Sequence, residues 1–165
     1  MKKAVVNQAS HITETFIDFL VELPLFDALK EKELEIVANY MTFFELEKGE
    51  VLFEEGDKGG CIYFVLDGII DVIKESSPGS SVVIASLPRG RSIGEMSVID
   101  NYPRSATAKA RTQSSFLTLT QESFNVIIDG YPKIGTKLLK AISRLLSQNL
   151  RKTSSRLADY MFPIT

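Results

Sequence analysis

Two charged side chains that lie ten positions apart, Glu95 and Arg104, are the residues of this sequence best suited to binding a ligand. They belong to the half-apolar stretch GEMSVIDNYPRSATA at 94–108, where the one other charge is Asp100. A carboxylate only accepts hydrogen bonds, whereas a guanidinium offers a planar fork that grips a phosphate with two donors. Solvated charges or an exposed ion pair in a surface loop are the simpler interpretation. If both side chains point inward, they would suit a ligand that carries a phosphate beside a hydroxyl group.

The residues between the two charges predict a short helix flanked by strands. Gly94 precedes the apolar run MSVI, and the turn-forming residues 100–103 follow it. The first turn of a helix has free backbone N–H groups and a partial positive charge. Residues 94–97 are therefore expected to form part of an anion cradle, which Arg104 would complete.

Helical periodicity appears on both sides of this segment, near the start and near the end of the chain. Two helices are predicted near the start, separated by a break at residues 23–26. A capped helix is predicted from Thr120 to Gly130, and Pro132 can open the next one. The apolar positions behind these predictions are Ile12, Phe16, Phe19 and Leu20, then Leu34, Val37, Ala38 and Met41, and, in the last helix, Ile134, Leu138, Ile142, Leu145, Leu146, Asn149, Leu150 and Leu157.

The middle of the chain has the pattern of short strands. All ten glycines follow residue 48, and eight of them fall between Gly49 and Gly94. Between Thr42 and Leu119 short apolar runs alternate with turn residues, as in MTFFEL, CIYFVLDG, VVIASL and SFLTL. Strands this short favour an antiparallel sandwich or jelly roll over βαβ units. Four of the glycines are expected to form turns with positive φ, namely Gly49, Gly56, Gly68 and Gly90.

Composition excludes several classes of function. The 165 residues are 44% hydrophobic with a formal net charge of -2, which suits one globular domain without general attraction for nucleic acid. The start of the chain is too polar for a signal peptide, and no apolar run is long enough to span a membrane. The single cysteine, Cys61, agrees with a cytoplasmic location and is expected to be a small buried side chain.

Catalytic and metal sites are not expected. The one histidine, His11, lies outside the strand region and is expected to be solvated, whereas metal-dependent jelly-roll enzymes need several inward histidines. No phosphate-binding GxxxxGK occurs in the sequence. We therefore predict no catalytic residue, no metal and no cofactor.

An ordered set of motifs resembles the cyclic nucleotide-binding domain family, the module shared by catabolite activator proteins, protein-kinase regulatory subunits and cyclic nucleotide-gated channels. The family's phosphate-binding cassette reads G-E, a short helix, then P-R-[A/S/T]-A, and residues 94–107 match it without a gap. Further matches are LPLF at 23–26, KGEVLFEEGD at 48–57, YFVLDG at 63–68 and RGRSIGE at 89–95. The departures are Ile93, where the family often has Phe, and Met96, where Leu is common.

This resemblance implies a mainly β fold with flanking helices: an antiparallel β-roll, or jelly roll, with N-terminal helices and a long C-terminal helix. Residues 1–22 would form a helical extension and residues 23–165 the binding domain. Glu95 would accept from the ribose 2′-hydroxyl, and Arg104 would bind the exocyclic phosphate oxygens. The implied ligand-binding residues are Gly94, Glu95, Met96, Ser97, Arg104, Ser105 and Ala106, with Val83, Ile84 and Asn149 as further candidates. Ser105 favours cAMP over cGMP, since Thr there accompanies cGMP preference in the family.

The implied function is that of a non-catalytic cyclic nucleotide sensor. Ligand capture would draw residues 120–160 toward the roll, and candidates for capping the base are Leu145, Leu146, Gln148, Asn149 and Lys152. Only ADYMFPIT follows the long helix, so no DNA-binding domain is expected in this chain. Its output would reach a homodimer partner through the last helix, or a downstream protein. The alternative is a roll that has lost its ligand and serves as an interaction module.

Overall fold

The computed structural model describes residues 9–77 and 79–161. The helices of this part of the chain are α1 (Ala9–Val21), α2 (Glu31–Ala38), α3 (Glu95–Asp100), α4 (Gln121–Gly130) and α5 (Pro132–Met161), with a 3-10 turn at Pro24–Phe26. The strands are β1 (Met41–Leu46), β2 (Val51–Phe53), β3 (Cys61–Asp67), β4 (Ile69–Ser77), β5 (Ser80–Pro88), β6 (Ser92–Ile93), β7 (Thr107–Ala110) and β8 (Ser114–Thr120). The predicted order of helices, strands and helices is confirmed.

The strands form two antiparallel four-stranded sheets, which together make the β-roll. One sheet has the order β1-β8-β3-β6, and the other has the order β2-β7-β4-β5. Strand β8 pairs with β1 along one edge and with β3 along the other. The strand order places β6, which leads into α3, beside β3, so that the segment around Glu95 starts next to the middle of the roll.

Apolar side chains fill two cores, one on each face of the β1-β8-β3-β6 sheet. Leu117 and Leu119 pack with the helices, whereas Phe116 points into the roll. Both faces of β8 are therefore covered, and Phe116, Leu117 and Leu119 are all buried. The interior of the roll also contains Val65 and Ile70, neither of which is exposed to solvent.

Helix α1 packs against the roll. Phe16, Phe19 and Leu20 are buried in the core that also contains residues of α2, α4 and α5. The guanidinium of Arg89, in the turn after β5, lies 4.9 Å from the ring centroid of Phe19 and donates to the Glu22 carboxylate at 2.8 Å. Residues 1–8 of the predicted extension, and the side chain of His11, lie outside the described part of the chain.

The C-terminal helices follow the capping signals in the sequence. The hydroxyl of Thr120 accepts from the backbone N–H of Ser123 at 3.1 Å, so it caps α4 as predicted. Helix α5 begins at Pro132 and runs for 30 residues. Its first half is anchored, because Ile134 and Leu138 are buried and Lys137 forms an ion pair with Glu33 on α2 at 2.6 Å.

Two expectations from the pattern need correction, and one strand was missed. Met41 begins strand β1 instead of extending the second helix. Leu150 and Leu157 do not belong to the buried face of α5, since they are 68% and 59% exposed. Strand β6, with two residues, was too short for the pattern to reveal. None of the described helices has the length and hydropathy needed to cross a membrane.

Candidate functional site

The site is built where β6 passes into α3. Gly94 caps this helix with φ of 94°, a left-handed conformation that glycine adopts without strain. Glu95 follows as the first residue of α3 and is 6% exposed, while Arg104, just beyond the helix, is 5% exposed. Both charges point inward, as the sequence predicted, and neither is solvated. Residues 94–106 are called the cassette below.

Arg104 is held from two sides by backbone carbonyl groups. Its Nη1 donates to the carbonyl of Gly94 at 3.0 Å, and its Nη2 donates to the carbonyl of Cys61 at 2.9 Å. The guanidinium carbon lies 4.2 Å from the ring centroid of Phe53 and 5.8 Å from that of Tyr63. These contacts fix the plane of the guanidinium before any ligand is present.

The backbone of Arg104 is held by the turn between β2 and β3. The N–H of Arg104 donates to the Asp57 carbonyl at 2.8 Å, and the Arg104 carbonyl accepts from the N–H of Gly56 at 2.9 Å. The N–H of Glu55 donates to the Thr107 hydroxyl at 2.9 Å. The matched sequence EEGD at 54–57 therefore positions the cassette through its backbone groups.

Two buried polar atoms of this site have no hydrogen-bond partner among the described residues. They are Oε2 of Glu95 and Nε of Arg104, one an acceptor and the other a donor. Leaving a buried polar group unsatisfied costs roughly 1–3 kcal/mol, and more when the group is charged. Such groups are rare in folded proteins, so each one indicates either a partner outside the described residues or a functional role. The pair is therefore the strongest sign of a ligand site in the structure.

Burial dominates the electrostatics of Glu95. It raises the pKa of the carboxyl above its usual value, while a hydrogen bond from its own backbone N–H and the charge of Arg104 act in the opposite direction. Desolvation disfavours the ionised form, so the surroundings of Glu95 make its carboxylate less stable than one in water. A hydroxyl donor from a ligand would stabilise it.

Glu95→Gln should therefore stabilise the ligand-free protein at neutral pH by about 1–2 kcal/mol, raising Tm by roughly 2–8 °C. The raised pKa means that the folded state binds this proton more tightly than the unfolded state, so the favourable contribution is complete below about pH 4.5 and is lost as pH rises through the folded-state pKa. The gain from the substitution should grow over that range and stay constant above it. Thermal unfolding from pH 4 to 8 measures it, with exposed Glu35→Gln as the control, and equal Tm values at pH 7 would contradict it.

Aromatic rings line the roll beneath Arg104. Tyr63 lies with its ring centroid 6.0 Å from that of Phe53 and 6.1 Å from that of Phe116. Burial raises the pKa of Tyr63 to about 12, so the phenol stays protonated. Burial also raises the pKa of the Cys61 thiol, which is half-buried, so this cysteine is not an activated nucleophile. The cytoplasmic location inferred from it stays a prediction.

The remaining cassette residues differ in their exposure. Ser97 is buried in the first turn of α3, and Ala106 is buried after Arg104. Met96 is 49% exposed, and the side chain of Ser105 faces outward. The structure thus brings Gly94, Glu95, Ser97 and Arg104 together, while the side chains of Met96 and Ser105 are exposed.

The further candidates, Val83, Ile84 and Asn149, lie on strand β5 and helix α5, which approach each other. Val83 and Ile84 are each 48% exposed on β5. Asn149 is exposed on α5, and one turn or more beyond it Arg156 Nη1 donates to the Ile84 carbonyl at 3.4 Å. Among the proposed capping residues, Leu145 and Leu146 are half-buried, and Gln148 and Lys152 are exposed. Helix α5 therefore already reaches β5.

Two residues of this site were missed from the sequence. Gly59 packs so closely on α3 that a Cβ built there would lie 2.0 Å from the Ser97 Cβ. Lys74 donates to the Ser105 carbonyl at 2.8 Å. The inward row of strand β4, in which Lys74 follows Ile70 and Val72, is the signal that could have identified it.

Other depressions lie away from the cassette. One, of about 770 Å³, lies between the starts of α2 and α5, where lysines and glutamates mix. A smaller one, of about 250 Å³, is lined by Glu45, Asp67 and residues 113–115. In the described part of the chain, no group of three or more potential metal ligands comes together.

Comparison with known proteins agrees with this geometry. The model of the family described as cyclic nucleotide-binding domain matches residues 43–131. The chain is 29% identical over 125 residues to the cyclic AMP receptor protein of Thermus thermophilus, covering 76% of this chain and 58% of that protein. It is 29% identical over 127 residues to the cAMP-dependent protein kinase regulatory subunit of Yarrowia lipolytica, covering 76% of this chain and 33% of that protein. The chain therefore spans only part of the length of these relatives.

A solved structure extends the likeness to the whole fold. The cyclic nucleotide-binding domain from Methylobacillus flagellatus KT superposes with a TM-score of 0.83 at 27% identity, covering 96% of this chain and 89% of that one. The likeness thus includes the flanking helices as well as the roll.

Proposed function

The chain belongs to the cyclic nucleotide-binding domain family, and from that premise we propose that its own cassette captures a cyclic nucleotide, with cAMP preferred over cGMP. The observation that supports this is the pair of buried atoms without partners, Glu95 Oε2 and Arg104 Nε. A ribose 2′-hydroxyl beside a cyclic phosphate offers one donor and several acceptors, which is the complement of that pair.

Arg104 would bind the phosphate with a guanidinium whose orientation is already fixed. Its contacts to the Gly94 and Cys61 carbonyls leave Nε as the unpartnered donor. A preorganised cation loses little conformational entropy on binding, which favours affinity. The first-turn N–H groups of α3, near Ser97, would add neutral donors to the same anion.

Glu95 would accept from the 2′-hydroxyl of the ribose. Burial raises the pKa of Glu95 and shields its carboxylate from water. A hydroxyl donor would therefore add a hydrogen bond that water does not supply. Part of the binding free energy thus comes from relieving a cost already present in the free protein.

The preference for cAMP rests on Ser105 and on the two relatives, which are named for cyclic AMP. By the family resemblance, Ser at this position accompanies cAMP binding, whereas Thr accompanies cGMP binding. One relative is a receptor protein and the other a regulatory subunit, so we infer a regulatory rather than a catalytic role.

Calorimetric titration with cAMP, cGMP and 2′-deoxy-cAMP tests this proposal. We expect cAMP to bind more tightly than cGMP, and 2′-deoxy-cAMP to bind more weakly than cAMP because the Glu95 carboxylate loses its donor. 5′-AMP serves as the acyclic control. If neither heat nor a thermal shift is seen at millimolar cAMP and cGMP, the chain is instead a ligand-free interaction module.

The output of the domain would pass through α5. Beyond residue 147 every described residue of this helix is exposed, although Arg156 contacts β5, the strand that carries Val83 and Ile84. A nucleotide bound between β5 and the cassette would give α5 an additional surface to pack against. The free energy for this closure must come from contacts that are better in the closed state.

The exposed apolar residues of α5 favour a second copy of the chain as the partner. Leu150, Leu157 and Tyr160 recur at spacings of seven and three residues, so they form one stripe along the helix. Leu150 and Tyr160 are 68% and 89% exposed in the single chain.

Leu150→Glu should therefore convert a dimer of this chain to a monomer in light scattering, because a charge in the stripe would be buried without a partner. Gln148→Glu is the matched control, since Gln148 lies about 200° around the helix from Leu150, on the opposite face. A wild-type protein that is monomeric with and without cAMP would contradict the dimer.

A further inference from the structure

Lys74 has an unusual position for a lysine in this roll. Strand β4 is regular opposite β7, with Ile70, Asp71, Val72 and Ile73 in continuous register. Alternate residues of a strand share a face, so Lys74 continues the row of Ile70, which is fully buried, and Val72, which is half-buried. Lys74 ends this row with 46% of its side chain exposed to solvent.

The ammonium group of Lys74 lies against the cassette. Its Nζ donates to the backbone carbonyl of Ser105 at 2.8 Å, the residue that follows Arg104. The same Nζ forms an ion pair with the carboxylate of Glu55. Glu55 belongs to the turn that also holds the cassette backbone, because its N–H donates to the Thr107 hydroxyl at 2.9 Å. The pair therefore connects β4, this turn and the cassette.

We propose that Lys74, held by Glu55, is a positioning residue that fixes the Ser105 peptide for phosphate binding. This inference rests on the proposed cyclic nucleotide function. The peptide bonds of the described residues are trans, so the Ser105 carbonyl and the Ala106 N–H point in opposite directions in one plane. Holding the carbonyl from the β4 side therefore sets the direction of the next N–H.

The other restraints on this stretch lie on either side of Ser105. The carbonyl of Arg104 accepts from Gly56, and the hydroxyl of Thr107 accepts from Glu55, at 2.9 Å in each case. Lys74 supplies the bond to the carbonyl between them. Without it, the peptide after Arg104 would have to be ordered by the ligand, and that ordering would lower affinity.

The test compares Lys74→Met, which keeps the apolar stem, with Lys74→Arg, which keeps the charge and the donor. Lys109→Met is the matched control, because Lys109 lies on the outward face of β7, between buried Ala108 and Ala110. Titration with cAMP and the amide NMR spectrum of the ligand-free protein are measured for each variant. Lys74→Met should weaken cAMP binding about tenfold and shift the Ala106 amide resonance, Lys74→Arg should restore both, and the control should change neither.

The outcomes distinguish the role of Lys74 from the proposed cyclic nucleotide function. If the wild-type protein binds no cyclic nucleotide, the proposed function fails, and the amide resonance still reports whether Lys74 fixes the peptide. If the wild type binds cAMP and Lys74→Met binds equally well, only the role of Lys74 is overturned. Weakened binding with an unchanged Ala106 amide would also overturn it, because Lys74 would then contact the ligand instead of positioning the peptide.

Discussion

Arg104→Ala should weaken cAMP binding at least about a hundredfold, because the phosphate loses its buried, oriented cation. Truncating one partner of a buried, hydrogen-bonded charge pair costs roughly 2–5 kcal/mol, and about 2.7 kcal/mol corresponds to a hundredfold change in Kd. The guanidinium is 5% exposed, so solvent cannot screen the loss. The variant should also unfold at a lower temperature, since the Gly94 and Cys61 carbonyls lose their donors.

Calorimetry measures the affinity, and circular dichroism confirms that the variant is folded at the temperature used. Arg104→Lys keeps the charge without the planar fork, and we expect it to recover only part of the affinity. Arg91→Ala removes an exposed arginine from the turn before β6 and is the control. Wild-type affinity in Arg104→Ala would place the phosphate elsewhere in the molecule.

Gly94→Ala should destabilise the folded protein by about 3 kcal/mol or more and abolish nucleotide binding. Two effects add: a residue with a Cβ is strained at φ of 94°, and that Cβ would lie 2.4 Å from Arg104 Nη1 and 2.6 Å from the Cys61 carbonyl oxygen. The methyl group would occupy the space that the guanidinium now fills. Arg104 would then have to leave the position that the carbonyls define.

Gly49→Ala separates these two effects. Gly49 has a similar φ of 86°, but a Cβ there meets nothing within 4 Å, so only backbone strain of about 1–2 kcal/mol is expected. Urea unfolding gives both free energies, and titration with cAMP shows whether binding follows. Equal destabilisation of the two variants would mean that the overlap with Arg104 is relieved at no cost.

The sequence predicted most of the secondary structure because the local signals agree with the final packing. Short alternating runs mark the strands, and the Thr120 cap and the Gly130 and Pro132 boundary all appear in the structure. The helical prediction for Met41 was wrong because an apolar residue at the end of a helical pattern also fits the first position of a strand. The prediction that Leu150 is buried was wrong because periodicity shows which residues share a face and does not show whether anything covers that face.

The inward orientation of Glu95 and Arg104 was predicted, but the partners of Arg104 could not be. They are backbone carbonyl groups of Gly94 and Cys61, and carbonyl groups carry no sequence signal. The close approach of Gly59 to Ser97 likewise depends on the angle between two elements distant in sequence. Roles of this kind follow from tertiary geometry alone, whereas charge type and spacing are visible in the chain itself.

The uninterrupted length of α5 has a mechanical consequence. At 1.5 Å per residue its 30 residues form a rod about 45 Å long. The rod is clamped near its base by Ile134, Leu138 and the Lys137 ion pair. Tyr160 lies about 33 Å beyond Leu138 by the same rise, so a pivot of about 5° at Leu138 would carry the tip through about 3 Å. A sub-ångström adjustment near the fulcrum is thereby amplified into a displacement that a spin or fluorescent label at the tip would register.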